Sequence, residues 1–537
     1  MRISDFFPSG GSANNFNLTA GADLSQSDLL SISSDGKGYP VKVTDYGYVS
    51  NVGQVIAQTS YGGGTYNGPS TRLPMFRDSS QNLYTVSTNS SLQGVKFFKY
   101  NAAGTLVGSL VIDSTAASLQ NLRMFQLSNG NVGFVYVISN VIYFAVCDTA
   151  LNLIVSPTSV ETLLTWATYG YMDAIALSGG GFAISWQQDA NPKLIRMAVY
   201  SNAGATVVAP TTMRTSSGTA GAWNQTTRLG QLTNGNIVLV IDDSATLSGG
   251  GSAADAGMYV GTFNPATLGA VVALARYNTV NAATTNPGEI LITPSNFIVA
   301  RYDGTNLKAW VFNNSAVLQG AAYSVADASN PVQDVRGIKL LWDGTQAWMI
   351  YGNATVKIAV KLPLTGTGYV ATTLTGLTGI GNTLIDCALA SDNVTVIMVS
   401  RPCSGYQDTS APKYCIFKLD GTVITAPTNF AAGAASTNGW MHSVQWSTDF
   451  TFTCAFDNQS TSATLFYVGK YQAASIVGVA TVAATAGTLV SAAQAIGTYP
   501  VNQLLGTIMK TFDHTTGATI YGNKGIMMPY GVVLKGM

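Results

Sequence analysis

The chain has 537 residues, 47% of them hydrophobic, with 26 basic and 26 acidic side chains and no formal net charge. Charged residues make up only 10% of it, against about 25% in an average soluble domain. Such a chain can bury one large repetitive core or several ordinary ones, and it lacks the basic patch or stripe that nucleic-acid binding requires.

Taken in chain order, residues 1–12, MRISDFFPSGGS, lack the apolar core of a signal peptide. No run of about 18 apolar residues follows, so neither a cleaved export signal nor membrane insertion is expected. The patterning is strand-like nearly everywhere: short runs of Val, Ile, Tyr, Phe and Thr between clusters of Gly, Asn, Asp, Ser and Pro. The phrase QLSNGNVGFVYV (126–137) returns as QLTNGNIVLVI (231–241). Each predicts a hairpin, with Asn129-Gly130 and Asn234-Gly235 in type I′ turns. The same event is read at 75–88, 174–186, 289–302, 338–351, 387–400 and, more loosely, 442–456. A second phrase, strand–tight turn–strand, follows most of these, at 99–109, 146–157, 199–210, 261–272, 311–321 and 416–427. The Ala-rich stretch 481–495 contains Gly487 and β-branched residues and reads as strand–turn–strand as well as helix.

The first-phrase turns fall near residues 79, 129, 179, 234, 295, 343, 392 and 448, stretched once by the insert SGGGSAADA at 248–256. Four short strands in a period of roughly 50 residues predict β-propeller blades, which cover each other's faces when packed around an axis. The expectation is an all-β chain of seven or eight four-stranded blades, or a ring closed by strands from both ends. The predicted division is an N-terminal arm and first part of a small β module (1–60), the propeller (61–472) and the rest of the module (473–537). A generic all-β chain with similar hairpins is the rival, and the ordered alternation of the two phrases counts against it.

The ends carry a resemblance. SDLLSISSDGKGYPV (27–41), VGVATVAATAGTLVSAAQAIG (477–497) and the closing YGVVLKG resemble phrases of small β modules in tailed-bacteriophage virion proteins. The resemblance covers some 80 residues at the two ends, and the repetitive middle is similar in architecture to propeller-like parts of phage tails and fibres. It implies a structural component of a virion, such as a tail or head fibre, collar or nozzle-like piece, with both ends folded into one small barrel or sandwich. Its expected partners are other virion proteins and further copies of itself, with host-surface glycan as a further contact, and its place is the virion. The alternative is a carbohydrate-binding or carbohydrate-cleaving propeller.

No constellation for chemistry emerges, so no enzymatic activity, cofactor or metal is expected. His442 and His514 lack ligand companions at metal-site spacing. Asp242-Asp243 is read as a strand end. Triple glycines at 62–64, 179–181 and 249–251 lack the Lys-Ser/Thr of a phosphate loop. Propeller glycosidases need two opposed carboxylates, whereas most acids here are expected in turns: Asp35, Asp78, Asp303, Asp343, Asp420. Trp186, Trp310, Trp342, Trp348 and Trp446 are expected between blades, and Tyr61, Tyr66, Trp223 and Tyr406 in packing or loops. The five cysteines, Cys147, Cys387, Cys403, Cys415 and Cys454, suit small buried hydrophobes better than a disulfide framework. Pairing of Cys403 with Cys415 across a hairpin stays open.

Overall fold

The computed structural model describes most strands and turns between residues 75 and 470, and strand segments at 15–19, 29–32, 38–40, 49–57, 473–480, 489–500, 526–527 and 533–534. Side chains are described within 75–454. All described regular structure is β, and the chain divides into two compact units.

The larger unit is a β-propeller. Seven of its blades are antiparallel sheets of four consecutive strands, between Met75 and Asn429. Their inner strands are, in order, Met75–Arg77, Leu119–Gln126, Met172–Ala176, Gln225–Gln231, Glu289–Ile292, Ile338–Trp342 and Leu384–Leu389 (blades 1 to 7). An eighth four-stranded sheet, blade 8, starts at His442–Trp446, continues through Thr451–Asn458 and Ala463–Lys470, and is completed by Val49–Ala57 from the N-terminal side. Residues 49–57, which the sequence places in an arm, thus pair with the propeller. Inner strands neighbour one another in sequence order, and that of blade 8 lies beside that of blade 1, so the ring is closed.

Burial grades outward from the axis. The second strands Val132–Ile138 and Ile237–Asp243 are buried at every residue. A strand covered on both faces by neighbouring blades must be apolar without alternation. Outer strands such as Leu153–Thr162 and Thr206–Ser216 are exposed along most of their length. Between blades lie aromatic cores, among them Phe97 against Phe134 (centroids 5.1 Å) and Phe144 against Tyr200 (4.5 Å). Trp186 and Trp310 are buried between blades, and Trp342 and Trp348 pack half-buried against the same kind of core. For Trp446 only the backbone is described, in the inner strand of blade 8.

The hairpins predicted from the repeated phrase form, with a different turn. Leu127 N–H donates to the Asn131 carbonyl (2.7 Å) and Gly130 N–H to that of Leu127 (2.9 Å), while Gly130 alone of the central pair has positive φ (86°). This is a three-residue loop: a type I turn followed by a left-handed glycine. Leu232–Asn236 repeats it, with Gly235 at 86°. The two asparagines act through their side chains instead, for Asn129 and Asn234 Oδ1 each accept the N–H two residues on (3.1 Å in both). The expected type I′ geometry occurs at Ser139-Asn140 (φ 49° and 66°), between the paired Ile138 and Val141.

The smaller unit contains a five-stranded sheet drawn from both ends of the chain. Asn15–Thr19 pairs with Leu489–Pro500, from Asn15↔Ala493 to Thr19↔Leu489. Leu29–Ile32 joins Ala473–Ala480 through Leu29↔Val479 and Leu30↔Gly478, and Gly38–Pro40 forms the far edge. The end phrases at 27–41 and 477–497 therefore contribute backbone to one sheet. The segment 481–488 between the two C-terminal strands lies outside the described residues.

Candidate functional site: a ring of alternating charge

An inner strand has one neighbour in its own blade, so its other edge points N–H and C=O groups toward the axis. Such groups need partners wherever water is scarce. In this propeller one column of side chains supplies them. Three residues before the end of the inner strand stand Arg123, Asp173, Arg228, Glu289, Lys339 and Asp386, in blades 2 to 7 respectively. The sign of charge alternates at every step.

The column is bonded from blade to blade. Arg123 Nε donates to Asp173 Oδ1 (2.8 Å), and Asp173 Oδ2 accepts Leu229 N–H of the next inner strand (2.9 Å). Arg228 Nε donates to the Gly288 carbonyl at the edge of blade 5 (3.2 Å). Lys339 Nζ stands between Glu289 (3.6 Å) and Asp386 (3.2 Å). Asp386 Oδ2 then accepts Val444 N–H of blade 8 (3.0 Å). Asp173 and Asp386 take the next strand's edge N–H, and Arg228 gives to its edge C=O. These side chains are largely buried, from 3% exposed for Asp386 to 21% for Lys339. Hydrogen bonds to charged groups in such surroundings contribute about 1.5–3 kcal/mol each.

Further ion pairs lie outward along the blade interfaces. Arg301 and Asp242 are 1% exposed and 2.5 Å apart. Arg214 reaches Asp243 (3.2 Å) with its guanidinium 3.8 Å above the Tyr259 ring. Asp242-Asp243 thus ends the strand Ile237–Asp243, as expected, and its neighbours are arginines of blades 5 and 3. Glu161 accepts from Trp186 Nε1 (2.7 Å) and from Arg196. Burial pushes its carboxyl above the usual carboxylate range, with Arg196 and Trp186 opposing.

The acids therefore depart from the expectation that most sit in turns. Asp78, Asp343 and Asp420 do lie in turns, where Asp343 Oδ1 accepts Thr345 N–H (2.8 Å) and its Oδ2 accepts Trp348 Nε1 (2.7 Å). Asp113, Asp173, Asp242, Asp243 and Asp386 are buried. Asp113 takes the Tyr136 hydroxyl (2.9 Å), and burial beside that carboxylate raises the phenol's pKa well above its ordinary value. Cys415 is a free, buried thiol, and Cys403 lies outside the described residues. Also outside them are Asp35, Asp303, Tyr61, Tyr66, Trp223, Tyr406, His514, the glycines at 62–64 and 249–251 and the insert at 248–256. His442 is described by its backbone alone. Gly180 and Gly181 form a turn with φ of 104° and 86°. Among the described residues no three metal-ligating side chains cluster.

The charged column escaped the sequence reading, yet a signal for it existed. Aligning the repeats on their first turn puts six charged residues of alternating sign in one column of a chain that is 10% charged.

No family model matches the chain, and no curated protein matches it. Several solved structures are similar in fold. The propeller of Dos1 is 11% identical, with 76% of this chain and 96% of that one covered at a TM-score of 0.43. An ulvan lyase of polysaccharide lyase family 25 is 10% identical over 78% and 96% of the two chains (TM-score 0.39). A prolyl endopeptidase is 10% identical over 72% of this chain, which spans 55% of the endopeptidase (TM-score 0.40).

Proposed function

We propose that this chain is a structural, non-catalytic component of a tailed-phage particle, in which a stiff propeller serves assembly and contact with neighbouring virion proteins. One observation carries the mechanical half of this reading. The carboxylates of the inner-strand column, Asp173, Glu289 and Asp386, each sit beside a basic side chain of an adjoining blade or take its backbone N–H. Their charge is engaged in joining blades, whereas glycoside cleavage needs two opposed carboxylates, one protonated and one ionised, both free for the sugar. The phage half rests on the end phrases and on their joining in one sheet.

The carbohydrate alternative makes a different prediction, and two measurements separate them. Particles of a phage that encodes this chain should contain it at stoichiometric level by mass spectrometry. Absence from purified particles would remove the virion reading. Release of reducing ends or unsaturated sugars from a panel of polysaccharides would remove the non-catalytic one.

A further inference from the structure

We propose that Asn129 and Asn234 are latent deamidation sites, held shut by the turns they stand in and released when a hairpin opens. Both residues are exposed, each is followed by glycine, and the space beside Gly130 and Gly235 is open. Loss of a side-chain amide begins with attack of the next residue's backbone nitrogen on the asparagine Cγ. The new N–Cγ bond closes a cyclic imide. The proton that nitrogen gives up ends on the side-chain nitrogen, which leaves as ammonia. Water then opens the imide at either carbonyl, to aspartate or to isoaspartate. Glycine is the residue that shields its own nitrogen least, so these two pairs are chemically the readiest kind.

The reaction needs a glycine nitrogen stripped of its proton, and both turns withhold it. Gly130 N–H donates to the Leu127 carbonyl and Gly235 N–H to that of Leu232 (2.9 Å in both). The side chains are tied as well, since Asn129 and Asn234 Oδ1 accept the N–H of Asn131 and Asn236 (3.1 Å in both). A proton held inside a turn is surrendered through its opened state. The rate in the folded chain is then the intrinsic rate multiplied by the fraction of time the hairpin is open.

A matching turn in blade 7 shows what the aspartyl product does. Lys418 N–H donates to the Thr422 carbonyl (2.8 Å) and Gly421 N–H to that of Lys418 (2.9 Å), with Gly421 at a φ of 95°. In the place of the asparagine stands Asp420, whose Oδ1 accepts Thr422 N–H (2.9 Å). An aspartate therefore makes the bonds that Asn129 and Asn234 make. Conversion to aspartate keeps the hairpin and adds a negative charge to a chain with no formal net charge. Isoaspartate instead lengthens the main chain of the loop by one methylene.

Incubation of the full-length chain in mildly alkaline buffer, with and without urea, followed by peptide mapping by mass spectrometry, tests this. Without urea, Asn129 and Asn234 should deamidate at least about ten-fold more slowly than with it. Asn131→Pro removes the N–H that Asn129 holds and loosens that turn alone, so Asn129 should speed up while Asn234 stays slow. Equal rates with and without urea overturn the proposal, as does an Asn129 that stays as slow as Asn234 in a folded Asn131→Pro chain. Should that variant unfold, both sites speed up together and the wild-type comparison decides alone. Asn129→Asp should leave the urea midpoint unchanged, and a lowered midpoint would overturn the assignment of a silent product.

Discussion

The inner and outer edges of each blade face the same problem and solve it in different ways. Both present a row of backbone N–H and C=O groups with no fifth strand to take them. On the axis side the groups are shielded from water, and charged side chains from the adjoining blade complete their bonding. On the rim, water is at hand, and the strands are guarded against other chains instead. Three outer strands carry Pro-Thr at a register irregularity: Pro157-Thr158, Pro210-Thr211 and Pro427-Thr428. Each of these threonine hydroxyls donates to the carbonyl two residues back (2.9, 2.8 and 2.8 Å). Proline removes a donor and bulges bend the strand, which spoils the template for another strand to add. The same rim exposes Val107, Ile154, Val207, Val271 and Val370 near the starts of outer strands. Charge is thus concentrated where it is most costly to bury, because there it does the joining.

That contrast can be broken from the inside first. Arg301→Met leaves Asp242 buried without its guanidinium and should cost about 3–5 kcal/mol in urea unfolding; Arg301→Met with Asp242→Leu should recover most of it. A double variant as unstable as the single one would show that the pair is not the cause.

Lys357 tests the price of an interior charge by pH. It is 3% exposed, and burial pulls its pKa down to about 8. The unfolded lysine holds its proton to about pH 10, so between the two values the unfolded state binds more protons and stability rises with pH. Below pH 8 both states are protonated and the full penalty applies. Lys357→Met should therefore raise stability at pH 7 by about 1–3 kcal/mol and flatten the rise between pH 8 and 10. An unchanged pH profile would contradict this.

Asp173→Ala removes the acceptor of both Arg123 and Leu229 N–H, with an expected loss of about 2–3 kcal/mol. A loss under half a kcal/mol would mean that water replaces the carboxylate on the axis as readily as on the rim. Gly130→Ala meets open space but keeps φ at 86°, and should cost about 1 kcal/mol of backbone strain. On the rim, replacing Pro157, Pro210 and Pro427 together by Val should leave the unfolding midpoint within a few degrees. It should raise light scattering at high protein concentration. A large drop in midpoint with no association would make these prolines structural rather than protective.

The hairpins were legible because their signals are local. Asn-Gly and Asp-Gly between apolar runs stand within a dozen residues of everything they organise. The turn type was not, since a type I turn with a left-handed glycine and a type I′ turn both want glycine second, and the length of the loop decides between them. The role of 49–57 was hidden by distance: its sheet partners lie about 400 residues away, and nothing in VSNVGQVIA names them. Arg123, Asp173, Arg228, Glu289, Lys339 and Asp386 were hidden differently. Each is unremarkable in its own repeat, and the pattern exists only between repeats. Read singly, an acid in a Gly- and Ser-rich chain suggests a turn, which holds for Asp343 and fails for Asp386.

The alternating column also constrains how such a gene can change. Repeats are usually gained and lost one at a time by slippage between similar stretches. Deleting blade 3 alone would bring Arg123 beside Arg228, and duplicating it would set Asp173 beside its own copy. Loss of blades 3 and 4 together would put Arg123 next to Glu289 and keep the alternation intact. For the charged arc of this propeller, the unit of inheritance is two blades.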